Sequence, residues 1–326
     1  MIISRTPLRI SIGGGGTDLA SYYEREGGFV ISAAITKYVY LGINPTFTRD
    51  YFLKYSELER VDSIDEIRHP LIREALRLHE LEPGIEIVSL ADIPSGTGLG
   101  SSASFTVGLL RALYAHRREH VTQWALAEEA CKIEIDLLGQ PVGKQDQYIA
   151  SFGGLSCFEF APDGSVEVTP LRISTETLHD LEENLLMFFT GYSRAATSVL
   201  EEQRTRSERG DNEMLENLRF VKTTGHEIRK VLEDGQTEAF AGLMHEHWLR
   251  KRERSNAMTN AVIDAWYDLG LKNGALGGKL VGAGNGGFLL FYANDRDRLR
   301  RAFSDEGLTE VRFAFDHDGS ALSVRA

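Results

Sequence analysis

The chain has 326 residues, 42% hydrophobic and 26% charged, with no low-complexity tract; this excludes a disordered protein and favours two folded domains over one. Lys and Arg total 36 against 48 Asp and Glu, a net charge of −12 that opposes broad attraction to nucleic acid or an anionic membrane, so an anionic ligand needs local binding devices. Cys131 and Cys157 form neither a disulfide framework nor a zinc-ligand spacing, the opening MIISRTPLRISIGGGG lacks the regions of a signal peptide, and no apolar run reaches the ~18 residues of a membrane helix, so a cytoplasmic protein is expected.

Residues 8–12 alternate apolar and polar and stop at four glycines, a strand running into a turn. Runs at 29–35, 38–43 and 85–90 are rich in β-branched and aromatic residues and read as further strands. After the glycine-rich stretch 96–100, Phe105, Leu109 and Leu113 share one face of a long helix. A second helix is expected over 122–138, ended by Gly139 and Pro141, and GKQDQYIAS follows in a loop or short helix. Short strands return over 153–173 around an Asp163-Gly164 turn, and the pattern turns mainly helical from about Ser174, which places a domain boundary near 175 and gives domains 1–175 and 176–326. The charged run 201–213 reads as a solvated helix end or mobile loop without chemistry. Helices are expected over 211–232, 235–254 and 257–270, then strands around Leu280, 288–292 and 311–315, an α+β second lobe.

The sharpest chemical signal is PSGTGLGSSAS, Pro94 to Ser104, between a strand and a helix. Gly96, Gly98 and Gly100 let the backbone approach an anion, and the unpaired N–H groups at the helix start point the same way; Thr97, Leu99 and Ala103 complete the cradle. Ser101 and Ser102 can cap the helix, hydrogen-bond a phosphate or bind magnesium beside it. No GxxxxGK[ST] occurs, so this is not a Walker A loop, and GAGNGG (282–287) leads into FLLFY rather than a helix, which reads as a turn between strands and not a dinucleotide site.

Asp146 in GKQDQ is the leading candidate for a base or charge stabiliser, with Lys144 beside it to neutralise transferred charge and Gln145 and Gln147 to orient hydroxyls; a turn or cap residue is the plain alternative. Magnesium needs few protein oxygens, and Glu134 and Asp136, two positions apart on a helix, point to different faces, so at most one of them can readily face the site. Asp18 can accept hydrogen bonds from sugar hydroxyls or close an Asx turn, and Gly15, Gly16 and Thr17 beside it are further substrate-binding candidates. His245 and His247 diverge at i and i+2, and no HExxH is present, which argues against a catalytic zinc site.

Together TPLRISIGGGGTD, PSGTGLGSSAS and KLVGAGNGG resemble, in order and spacing, the three motifs of the galactokinase, homoserine, mevalonate and phosphomevalonate (GHMP) kinase superfamily, over nearly the whole chain. The resemblance implies an α+β, two-domain ATP-dependent kinase, with an N-terminal domain like domain 2 of ribosomal protein S5 and a ferredoxin-like C-terminal domain. It also implies that the middle motif wraps the ATP phosphates, that Ser102 and Glu134 hold Mg2+, that Asp146 acts on the acceptor, and that Gly282, Ala283 and Gly284 form the site's floor. The Glu-His pair of the galactokinase pattern is replaced by glycines here, and TPLRISIGGGGTDLASYYEREGG looks like the D-glycero-D-manno-heptose 7-phosphate kinase branch. That branch implies phosphorylation of an anomeric hydroxyl to give the 1,7-bisphosphate for nucleotide-activated heptose and surface polysaccharide. It also implies a cationic clamp for the acceptor's own phosphate, for which Arg194 is the first candidate and Lys37 and Arg9 are further options. ATP and a sugar phosphate are the expected small-molecule partners, a homodimer the expected assembly. The alternatives are a fucose-type sugar kinase, a nicotinamide-dependent oxidoreductase and a nonenzymatic nucleotide-binding regulator.

Overall fold

The computed structural model describes residues 1–191, 197–255, 257–282, 284 and 286–325. In chain order the elements are β1 (Ile2–Gly13), α1 (Ala20–Glu26), β2 (Gly28–Pro45), β3 (Tyr51–Lys54), β4 (Leu58–Val61), α2 (Pro70–Leu78), β5 (Ile85–Ala91), α3 (Ser101–His116), α4 (Gln123–Cys131), α5 (Gln145–Phe152), β6 (Leu155–Phe160), β7 (Val166–Pro170), α6 (Thr175–Asn184), β8 (Leu185–Phe189), α7 (Thr197–Glu208), α8 (Asn212–Glu233), α9 (Thr237–Arg252), α10 (Ala261–Lys272), β9 (Ala275–Leu280), β10 (Phe288–Ala293), α11 (Arg296–Asp305), β11 (Thr309–Glu310) and β12 (Ala321–Arg325).

Among the described residues the larger sheet has eight strands, with β12-β1-β2-β5-β3-β4 as its main path, β6 attached to β2 and β7 to β6. The two sequence runs at 29–35 and 38–43 are one strand, β2, because β1 pairs along all of it and accommodates Thr36 and Lys37 in a bulge opposite Pro7 and Leu8. β6 pairs with the first half of β2 and β5 with the second. α3 packs against β1, β2, α4 and α5, which buries Ala103 to Leu110 on every side and makes its apolar surface wider than one stripe.

The smaller sheet is antiparallel, in the order β11-β8-β10-β9, the 4-1-3-2 order of a ferredoxin-like fold. β8 escapes the helical reading of 176 onward: LLMFF is an apolar run without alternation, buried between helices and its sheet neighbours. The strand expected at 311–315 is also absent. Thr309–Glu310 pairs with β8 and Val311 N adds one bond to Met187 O at 2.8 Å, after which the chain crosses to the larger sheet, where Phe315 bridges Ile35 and β12 pairs with β1. We propose the domain division near residue 175, with β12 returning to the first domain.

The charged run 201–213 is not a free loop: most of it belongs to α7, and Gln203 and Ser207 are buried. No helix of the described residues is long and apolar enough to cross a membrane.

Candidate active site

A cavity of about 410 Å³ opens between the two sheets, within the size range of small-ligand sites. One wall is the glycine loop between β5 and α3. Gly96, Gly98 and Gly100 have φ of +77°, +83° and +76°, backbone that L side chains rarely adopt, and Gly100 occupies the N-cap of α3 with no side-chain cap. The first N–H groups of α3 therefore remain available to an anion. A Cβ on Gly98 would lie 2.8 Å from the Val281 carbonyl oxygen, and one on Gly282 would lie 2.6 Å from Gly98 Cα, so the two glycine segments meet backbone to backbone. Gly96, Gly98, Gly100, Ser101, Ser102 and Ala103 line the cavity. Thr97 and Leu99 are instead buried; the Thr97 hydroxyl donates to the Pro94 carbonyl at 3.0 Å, and these residues shape the loop without facing the cavity.

Arg9 ties this loop to the first turn of α5. Its Nη1 donates to Gly98 O at 2.6 Å, while Nε and Nη2 donate to the two Asp146 carboxylate oxygens at 2.7 and 2.5 Å. A bidentate guanidinium fixes the plane of a carboxylate. Asp146 sits in the first turn of α5, a helix where the sequence left loop or helix open. Lys144 does not join it. Its ammonium donates to Gly164 O at 2.7 Å and lies outside the cavity lining, because the turn into α5 sends the two side chains opposite ways; the expected charge neutralisation by Lys144 is corrected on this geometry.

Asp18 reaches the cavity and is buried, with its carboxylate accepting from the N–H groups of Gly16 at 3.0 Å and Gln145 at 3.2 Å. Burial, and then the nearby Asp146 charge, raise its pKa, while those N–H groups oppose the rise. Thr17 is turned away: its buried hydroxyl lies 2.9 Å from the carbonyls of both Gly14 and Phe29 and pins the turn, so its expected contact with a ligand is corrected as well. Gly15, Gly16, Gly282 and Gly284 line the cavity. Arg194 and Ala283 lie outside the described residues, and Lys37 lies on β2 away from the cavity.

Glu134 faces the cavity from a π-helical segment, Lys132–Leu137, that continues α4, and Asp136 is exposed outside it. Such widened turns often occur at functional sites because they re-aim a side chain. Ser102 Oγ donates to Glu134 Oε2 at 2.5 Å and Gln147 Nε2 donates to Oε1 at 3.0 Å. Burial pushes the Glu134 carboxyl up to about 7, against the lowering effect of both bonds. A hydroxyl and a buried carboxylate side by side at the helix start are hard oxygen donors suited to a magnesium ion that keeps most of its waters.

Several cavity residues stand outside the site candidates that the sequence offered. Arg254, Lys251, Lys279 and His247 come from α9, its C-terminal end and β9, while Gln203 on α7 donates to Gly16 O at 2.8 Å. His245 turns to Tyr267, 2.7 Å away, so the two histidines diverge. Lys279 opens the KLVGAGNGG motif, but Lys251 and Arg254 belong to no motif, and only the packing of α9 on β9 collects the three.

The model of the GHMP kinases N-terminal domain matches residues 69–154, and that of the GHMP kinases C-terminal domain matches residues 228–307. The chain belongs to the GHMP kinase family. It has that family's two-domain α+β fold and is an ATP-dependent kinase that transfers phosphate to a hydroxyl. It is 28% identical to D-glycero-alpha-D-manno-heptose 7-phosphate kinase of Campylobacter jejuni, over 98% of this chain and 97% of that one. It is 26% identical to the bifunctional fucokinase/GDP-fucose pyrophosphorylase of Arabidopsis thaliana, over 90% of this kinase and 30% of the relative. A crystal structure of a D-glycero-D-manno-heptose 1-phosphate kinase from Bacteroides thetaiotaomicron superposes with a TM-score of 0.82 at 25% identity, covering 99% of each chain. These relatives support a sugar kinase of the family.

Proposed function

We propose that this kinase phosphorylates the anomeric hydroxyl of D-glycero-D-manno-heptose 7-phosphate, giving the 1,7-bisphosphate used for nucleotide-activated heptose and surface polysaccharide. The observation that carries the reading is the convergence, in one cavity, of an anion cradle at the start of α3 with the Arg9-held Asp146 and the buried Asp18. Likeness over the full chain to two heptose phosphate kinases supports the acceptor class; their names agree on a heptose phosphate and differ in where its phosphate sits.

In the mechanism we infer, the glycine loop and the first N–H groups of α3 hold the ATP phosphates, and Asp18 accepts hydrogen bonds from acceptor hydroxyls. Ser102 and Glu134 would hold a magnesium ion, which when bound neutralises charge on the transferred phosphate. Each Asp146 oxygen keeps a lone pair beyond its bond to Arg9, so the carboxylate can orient the attacking hydroxyl and take its proton. The acceptor oxygen bonds to the γ-phosphorus as the bond to the ADP oxygen breaks. Little covalent work falls to the protein, so alignment and charge stabilisation dominate.

Coupled ADP release with ATP and magnesium over heptose 7-phosphate, heptose 1-phosphate, mannose, fucose and galactose tests the reading, with the product's new phosphate located by 31P NMR. Turnover confined to heptose 7-phosphate is expected. Turnover with fucose alone would favour the fucose-type reading suggested by the Arabidopsis relative and overturn ours.

A further inference from the structure

Three basic side chains in the cavity wall are buried with no ion pair among the described residues, although the Asp18 charge acts on Arg254. Arg254, Lys251 and Lys279 are 3%, 7% and 1% exposed, and all three line the cavity. The hydrogen bonds they make go to neutral groups: Lys251 Nζ to the carbonyls of Gly282 and, at 3.4 Å, Leu280; Lys279 Nζ to Ile12 O at 3.3 Å; Arg254 Nη1 to Gly15 O at 3.1 Å and Nε to Asn217 Oδ1 at 2.8 Å. Arg254 Nη2 is buried with no partner among the described residues, as are the Ser11 hydroxyl and both ring nitrogens of His247 in the same wall. Besides burial, the charges acting on the two lysines are other cations, and their pKa values fall, that of Lys279 to about 7.

Burying like charges together is costly unless a further group compensates them. Arg9 differs, since Asp146 already balances it. The missing group is an anion, and the neighbours say which. Arg254 and Lys279 reach the backbone between Ile12 and Gly15, beside the turn that carries Asp18, while Lys251 bonds to Gly282, which packs on Gly98 of the glycine loop.

We propose that Arg254 and Lys279, with the Ser11 hydroxyl, form the site for a phosphate monoester that the acceptor already carries, and so select phosphorylated over free sugars. A monoester brings a charge of roughly −1.5 to −2 near neutral pH, matching a cluster of cations that is otherwise self-repelling. The inference deepens the kinase reading and rests on it. It moves the clamp from the sequence candidates Arg194, Lys37 and Arg9 to the end of α9 and to β9.

The test compares wild type with Lys279→Met and Arg254→Lys in steady-state turnover, varying heptose 7-phosphate and ATP separately. Inorganic phosphate is titrated against thermal unfolding of the proteins saturated with a nonhydrolysable ATP analogue and magnesium, which fills the cradle at α3. Removing one buried cation should raise KM for the sugar phosphate on the order of 10- to 10³-fold. KM for ATP should stay within about threefold of wild type, since the cradle at α3 is intact. Phosphate should raise the unfolding temperature of wild type and have little effect on Lys279→Met, a comparison that also shows whether the variant folds. A rise in KM for ATP with the acceptor KM unchanged, or equal protection of all three proteins by phosphate, overturns the clamp. If wild type uses heptose 7-phosphate and the variants keep its KM, the clamp falls and the acceptor stands. If another sugar phosphate is the acceptor and its KM depends on Lys279, the clamp stands and the proposed acceptor falls.

Discussion

Replacing Glu134 by Gln in the nucleotide-free protein, with chelator present, should change how stability depends on pH. The wild-type carboxyl titrates at about 7 in the folded protein against an ordinary 4.5, chiefly because it is buried. A folded pKa above the unfolded value means that a proton is taken up on folding: the contribution is full below pH 4.5 and is lost as pH rises through about 7. The difference of about 2.5 units corresponds to about 3 kcal/mol. Glutamine has no such titration, so between pH 5 and pH 8 Glu134→Gln should gain about 2 to 3 kcal/mol relative to wild type, whatever constant offset its altered bonds to Ser102 and Gln147 introduce. Urea unfolding at several pH values measures the difference, in which other titrations cancel. Parallel stability curves for the two proteins would refute the assignment of a strained, proton-holding Glu134. A second arm adds magnesium with a nonhydrolysable ATP analogue at pH 8, which should protect wild type far more than the variant if this carboxylate helps hold the metal.

Four further substitutions separate the roles assigned above. Asp146→Asn should keep the fold and lower kcat by about 10² to 10⁴, and near wild-type turnover would remove Asp146 from the mechanism. Lys144→Met should change kcat by less than about threefold, since its ammonium is engaged with Gly164 outside the cavity; a loss like that of Asp146→Asn would restore its catalytic role. Gly98→Ala places a Cβ 2.8 Å from Val281 O at a φ of +83°, so a loss of about 1 to 3 kcal/mol in thermal or urea unfolding and a raised KM for ATP are expected. Asp18→Ala should raise acceptor KM and spare KM for ATP, and equal effects on both would argue that Asp18 only shapes the turn.

The site was legible in the sequence wherever its chemistry is local. The cradle from Gly96 to Ser102 is a loop, a run of left-handed glycines and a helix start, all encoded within a few residues. Glu134 was preferable to Asp136 only through a family resemblance, because residue spacing says that two positions diverge and not which one faces inward. Lys144 and Thr17 show the opposite failure: being next in sequence to Asp146 and Asp18 says nothing of direction, and one reaches Gly164 while the other locks a turn. In α7 the charged composition of 201–213 concealed a buried face that carries Gln203 to Gly16.

By itself the sequence determined the class of chemistry and the two-domain α+β order, since glycine turns, helix starts and apolar periodicity act through short-range backbone and side-chain preferences. The tertiary structure alone decided which charges meet. Arg9 finds Asp146 across 137 positions, and Lys279 lies against Ile12 across 267. Electrostatics depends on distance and on exclusion of water, and both are set only when the sheets pack around a common cavity.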